Sequence, residues 1–146
     1  MKIVCQKSEL LNGVNIALKA IPAKTTMPIL ECIVIEASDT GIKLTANDME
    51  LGIETLVKGD VVSNGVIAIN AKIFAEIIRK LPDSDITLEC DDNFQMTIRC
   101  EKSVFQIAGK SSDEFPSLPE IMKKDALIIS QFTLKELIRQ TVFSIS

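Results

Sequence analysis

The chain has 146 residues, room for one ordinary domain or for one domain and part of a second, and 47% of it is hydrophobic, enough for a packed core. Aromatics make up only 4%, with no Trp or Tyr, so that core must be built from Ile, Leu and Val. No apolar run approaches the roughly 18 residues of a membrane span, and MKIVCQKSELL lacks the apolar stretch and cleavage site of a signal peptide. A cytoplasmic protein is therefore expected. With no His in the chain, neither a Ser/His nor a Cys/His nucleophile can be assembled.

In chain order, Lys2–Cys5 reads as a short strand leading into a helix over Ser8–Ala20, with Leu10, Leu11, Val14, Ala17 and Leu18 on its apolar side and Ser8, Asn12, Asn15 and Lys19 outward. Pro22 closes it, and the loop Ala23–Pro28 carries Lys24. Strands are expected at Glu31–Ala37, Ile42–Ala46 and Leu51–Val57, separated by the turn residues Asp39-Thr40-Gly41 and Asn47-Asp48. Lys58-Gly59-Asp60 and Ser63-Asn64-Gly65 mark further turns. Val66–Ile69 is then a buried strand, Asn70 a helix cap, and Ala71–Leu81 an amphipathic helix stopped by Pro82. Its apolar stripe is Phe74, Ile77, Ile78 and Leu81; its opposite stripe is Lys72, Glu76, Arg79 and Lys80. Three alternating strands follow, over Ile86–Cys90, Phe94–Cys100 and Ser103–Ala108.

The unit strand–helix–strand–strand–strand is thus completed twice by about Gly109, which makes one α+β domain. Ser111–Leu118, polar and punctuated by proline, reads as a connector. Ala126–Ser130 and Thr133–Phe143 begin a third unit, with Thr133 and Glu136 spaced as a capping box. The expected division is residues 1–122 for the first domain and 123–146 for the truncated start of a second.

Cys5, Cys32, Cys90 and Cys100 lie in four separate apolar segments with no CxxC pair. Buried reduced thiols fit a cytoplasmic chain; a Cys90–Cys100 disulfide across a hairpin is the alternative, and the spacing suits no zinc site. The acidic pairs Asp91-Asp92 and Asp48/Glu50 sit at hairpin turns, where carboxylates cap backbone N–H groups, so no metal site and no catalytic constellation is expected. No phosphate-cradling glycine motif occurs, and no cofactor is implied.

Charge is sorted by element. The three helices, counted with Lys7 at the threshold of the first, hold seven basic and three acidic residues, a net +4, whereas the rest holds nine basic and seventeen acidic, a net −8 within the overall −4. Two readings of Lys19, Lys72, Arg79, Lys80 and the loop residue Lys24 follow. They are the solvated sides of amphipathic helices, or they form a surface that meets the phosphates of duplex DNA without reading its sequence. No aromatic interleaves them, so stacking on single-stranded bases is not indicated. A protein-interaction module with exposed strand edges is the competing class.

The segments TTMPIL (Thr25–Leu30), LTANDMEL (Leu44–Leu51), INAKIFAEIIRKLP (Ile69–Pro82), DEFPSLPE (Asp113–Glu120) and TLKELIRQTVFSIS (Thr133–Ser146) together resemble the bacterial DNA polymerase III beta subunit, the sliding-clamp family. The resemblance implies the DNA clamp fold, a duplicated β-α-β-β-β unit with two helices on one face and antiparallel sheets on the other. It also implies a head-to-tail homodimeric ring of three-domain subunits around double-stranded DNA, tethering DNA polymerase III for processive synthesis and performing no catalysis itself. Family positions that contact duplex DNA match Lys24 and Lys72. Ser103–Ala108 resembles the edge where subunits meet, with Phe105 and Ile107 as its apolar part or, alternatively, as part of the domain's own core. The family's pocket for polymerase and clamp-loader peptides would lie beyond Ser146.

Overall fold

A computed structural model describes residues 1–119 and 127–144. Residues 1–119 build two antiparallel sheets and two helices from β1 (Lys2–Gln6), α1 (Lys7–Ala17), β2 (Cys32–Ser38), β3 (Gly41–Asn47), β4 (Gly52–Val57), β5 (Asp60–Ser63), β6 (Gly65–Asn70), α2 (Ala71–Lys80), β7 (Asp85–Cys90), β8 (Gln95–Cys100) and β9 (Ser103–Ala108). One sheet has the order β5-β1-β7-β8-β9 and the other β4-β3-β2-β6. The expected α+β architecture is present, with the two helices packed against each other.

The sheets reveal how the two repeats fit together. In each unit the last three expected strands form a meander, β2-β3-β4 and β7-β8-β9, but the first strand joins the other unit's sheet. Thus β1 pairs with β7 from Lys2↔Glu89 to Gln6↔Asp85, and β6 pairs with β2 from Cys32↔Asn70 to Ala37↔Gly65. The tight β2–β3 turn needs its glycine: Gly41 has φ +118°, a conformation that L side chains rarely adopt.

One core spans both sheets and both helices. Ile3, Leu10, Ile33, Ile35, Ile42, Leu44, Ile67, Ile69, Phe74, Ile78, Ile86, Leu88 and Ile98 all lie in it, essentially without solvent contact. Period-two burial along β3 and β8 and period-3.6 burial along α2 bring these side chains to the same interior. A second, smaller cluster of Ile29, Leu30, Cys32, Val34 and Ala68 is covered by Phe115.

Several expectations need correction. The segment read as turns around residues 58–65 contains β5, which leaves the β4 sheet to pair with β1 at the edge of the other sheet. The first helix starts at Lys7 and tightens into a 3-10 turn over Leu18–Ala20. Pro28–Glu31, divided between loop and strand in the sequence reading, is a 3-10 helix, with proline at its start supplying a suitable φ. Of the strand expected over residues 126–130, Leu127–Ser130 has no ladder partner among the described residues. The following helix α3 (Gln131–Thr141) is capped by Ser130, whose hydroxyl accepts from Thr133 N–H at 3.0 Å, so Thr133 is not the cap. The proposed boundary between residues 122 and 123 lies outside the described residues.

Ser111–Leu118 is no loose linker. It lies across the outer surface of the β4-β3-β2-β6 sheet, where Leu118 occupies the space over Gly52 and Asn47 Nδ2 donates to the Pro116 carbonyl at 3.4 Å. The four cysteines are free thiols; Cys5, Cys32 and Cys100 are buried and Cys90 half-buried. No described helix is long and apolar enough to cross a membrane.

Candidate nucleic-acid interface

Helix α2 forms where the sequence places it because both ends are specified. Asn70 Oδ1 accepts from Ile73 N–H at 3.1 Å at the start, and Leu81 leaves helical geometry ahead of Pro82 at the end. Ala71, Phe74, Ala75 and Ile78 are buried, Ile77 is half-buried, and Lys72, Glu76, Arg79 and Lys80 are exposed. Arg79 and Lys80 occupy the last turn, where cations also complement the helix dipole. On α1, Leu10, Gly13, Val14 and Ala17 are buried while Ser8, Asn12 and Asn15 face outward.

The two helices lie side by side, and one hydrogen bond crosses between their exposed surfaces. Arg79 Nη2 donates to Asn15 Oδ1 at 3.0 Å. Lys19 stands exposed in the 3-10 turn just beyond α1, and Lys24 is exposed in the loop that follows. In that loop Thr25 Oγ1 accepts from Met27 N–H at 3.0 Å, which orders the backbone next to Lys24. The structure therefore places four of the five basic residues, Lys19, Lys72, Arg79 and Lys80, on or directly beyond the two adjoining helices, with Lys24 in the loop that continues from α1. Lys7 departs from the group: its ammonium donates to the Leu81 carbonyl, and the residue is only partly exposed.

Ion pairing separates these cations from the lysines of the sheets. Lys43, on the outer surface of β3, reaches Glu36 at 3.0 Å and Glu54 at 3.3 Å, and Lys2 reaches Glu89 at 3.9 Å. The hydrogen bond from Lys43 to Glu36 is the main reason that its pKa is raised. Among the described residues, none of Lys19, Lys24, Lys72, Arg79 and Lys80 has a carboxylate within 4.0 Å. Lys2 and Lys43 thus have a carboxylate beside them on the sheets, whereas these five cations, like Arg99 of β8, have none among the described residues.

The acidic turns do what their positions suggest. Asp48 Oδ1 accepts from Leu51 N–H at 2.6 Å and Glu50 N–H at 2.9 Å, bonds that lower its pKa. Asp91 Oδ1 accepts from Asn93 and Gln95 N–H at 2.9 and 2.8 Å. Among the described residues no three His, Cys, Asp or Glu side chains gather as a metal site.

At the far sheet edge, Phe105 lies opposite Ile98 and Ile107 opposite Met96, so both point to the core side of the sheet. Ile107 packs against the core, while Phe105 stays 40% exposed because β9 is the edge strand of its sheet. Two participants were not singled out from the sequence. Asn15 looks like any outward polar residue, and the only hint at Phe115 is a lone aromatic in a polar segment.

Two sheets with interchanged first strands, enclosing one core with a pair of adjoining helices, define the DNA clamp class of fold. The chain belongs to the DNA polymerase III beta subunit family: residues 1–119 match the model of that subunit's N-terminal domain. It is 39% identical to the beta sliding clamp of Halalkalibacterium halodurans over all of this chain and 40% of that protein. A solved DNA polymerase III beta subunit structure from Eubacterium rectale superposes with a TM-score of 0.93 at 57% identity, over all of this chain and 40% of that one. The Helicobacter pylori beta clamp bound to a DNA ligase peptide superposes with a TM-score of 0.77 at 32% identity, over 83% of this chain and 34% of that one. The chain spans about 40% of the length of the curated relatives it matches.

Proposed function

We propose that this chain is the first domain, and the start of the second, of a sliding clamp of bacterial chromosomal replication. The full subunit would close head to tail with a second copy around double-stranded DNA and tether DNA polymerase III, without catalysing a reaction. The observation that carries this reading is the gathering of Lys19, Lys72, Arg79 and Lys80 on or directly beyond two adjoining helices, with no carboxylate within 4.0 Å of any of them among the described residues. Lys24, Lys72, Arg79, Lys80 and Lys19 contact phosphates by charge, which suits a protein that must slide past any sequence. The β9 edge, with Phe105 and Ile107, meets the other subunit of the ring. Partner peptides, such as the ligase peptide carried by the Helicobacter pylori clamp, and the clamp loader engage the remainder of the full-length subunit. No membrane association is involved, and the site of action is the cytoplasm.

Replacing Lys24 and Lys72 by Glu in a full-length subunit tests the DNA part. Each lost phosphate contact flattens the dependence of log affinity on log salt by about 0.9. Loaded clamp should slide off linearised DNA faster, and retention should become less salt-sensitive. Unchanged retention at every salt concentration would remove the helix surface from the mechanism.

A further inference from the structure

We infer that Phe115, in the segment leading out of the first domain, is a positioning residue for Lys24. Its consequence for DNA rests on the phosphate-contact reading above; the anchoring itself does not. The loop bearing Lys24 has little to hold it. Its own bonds are Met27 N–H to Thr25 Oγ1 at 3.0 Å, Thr25 Oγ1–H to the Met27 carbonyl at 3.4 Å, and Leu30 N–H to the same carbonyl at 3.0 Å. What fixes its downstream end is the 3-10 helix Pro28–Glu31, whose Ile29 and Leu30 are buried.

These two side chains do not belong to the main core. They sit in the separate small cluster with Cys32, Val34 and Ala68, and Phe115 is the partly buried hydrophobe packed against it. Ile29 and Leu30 from one part of the chain and Phe115 from another, far away in sequence, therefore share one small cluster.

Phe115 is itself held from both sides. Before it, Ala68 and Lys110 exchange backbone hydrogen bonds of 3.0 and 2.8 Å, which adds one bridge beside β6. After it, Asn47 bonds Pro116 and Leu118 covers Gly52. A cavity of about 480 Å³ is lined by Thr26, Met27, Pro28 and Ile29 on one side and by Lys110 and Glu114 on the other, so loop and connector already face each other. The seat of Lys24 is thus supplied by the very segment that leads towards the next domain. A displacement of the connector reaches the loop, and by linkage an ordered loop favours the seated connector.

Limited trypsin digestion of the 146-residue chain reads the anchoring directly. Cleavage after Lys24 should become roughly five- to thirty-fold faster in Phe115→Ala, because the loop's open state gains population. Cleavage after Lys102, in the β8–β9 turn, should stay unchanged and serves as the internal reference. Phe115→Leu, which keeps most of the volume, should give a smaller rise at Lys24; if Phe115→Ala unfolds by circular dichroism, that variant carries the test. Unchanged cleavage at Lys24 in the folded variant overturns the inference. In a full-length subunit carrying this chain, Phe115→Ala should shorten retention on nicked circular DNA, and the double variant with Lys24→Ala should do no worse than Lys24→Ala alone. Equal additive losses would overturn the positioning role. If Lys24→Ala leaves retention untouched, the phosphate-contact reading falls and the trypsin result alone decides the anchoring.

Discussion

Gly13→Ala sets two physical effects against each other. In an exposed helix the exchange is favourable by about 1 kcal/mol, because glycine loses more backbone freedom. Gly13 is on the buried side of α1, however, where the helix crosses the β3–β4 surface. A Cβ there would lie 2.6 Å from Val57 Cγ2 and 3.2 Å from Leu44 Cδ1. Both neighbours are buried, and the branched Val57 side chain has little rotamer freedom with which to withdraw. Overpacking of this kind costs about 1–3 kcal/mol, and the close approach to the stiff Val57 favours the upper part of that range. The net expectation is a loss of about 1–2 kcal/mol, or roughly 4–10 °C in melting temperature for a domain of this size. Differential scanning calorimetry of the variant measures it. A rise in melting temperature would refute the claim that α1 is pressed onto the sheet at Gly13.

Asn70→Ala removes the side-chain cap of α2 and should cost about 1 kcal/mol, seen as a lower urea midpoint at unchanged slope. Burial, with a smaller contribution from the Asp85 carboxylate, pushes the Cys5 thiol up to about 12 from its ordinary 9.0. The folded chain thus holds the proton that the unfolded chain releases near pH 9, so this contribution is full below pH 9 and is lost as pH rises towards 12, by at most about 1.4 kcal/mol per unit. Urea midpoints between pH 7 and 11 should fall less steeply above pH 9 in Cys5→Ala. Phe105→Asp in a full-length subunit should weaken dimerisation roughly ten-fold or more by analytical ultracentrifugation, read at a temperature where circular dichroism shows the variant still folded.

Helix α2 was legible because cap, stripe and terminating proline agree over one short stretch, and its exposed cations could be named from that stripe alone. The strand β5 was not, since Asp60–Ser63 has only four residues between turn signals and its partner β1 lies at the other end of the unit. Leu127–Ser130 shows the converse: an apolar run suggests a strand, but only a neighbour makes it one. At the candidate interface the sequence sorted charge by element, yet which cations are already neutralised depends on register. Lys43 faces Glu36 on β2 and lies diagonal to Glu54 on β4 only once the three strands are aligned. Lys7 left the group through a contact with Leu81, 74 positions away. The face of Phe105 and Ile107 was likewise fixed by their pairing with Ile98 and Met96.

The interchange of first strands makes the two repeats hostage to one another. A nascent chain that has emerged only as far as Ser63 can dock β1 beside β5, but β1 still lacks β7 and β2 still lacks β6. Cleavage between Ser63 and Gly65 would yield two pieces, each missing a strand that the other contains. Topologically the domain is a strand-swapped dimer of half-domains fused into one polypeptide, so a solitary half could complete its sheet only by borrowing from a second copy.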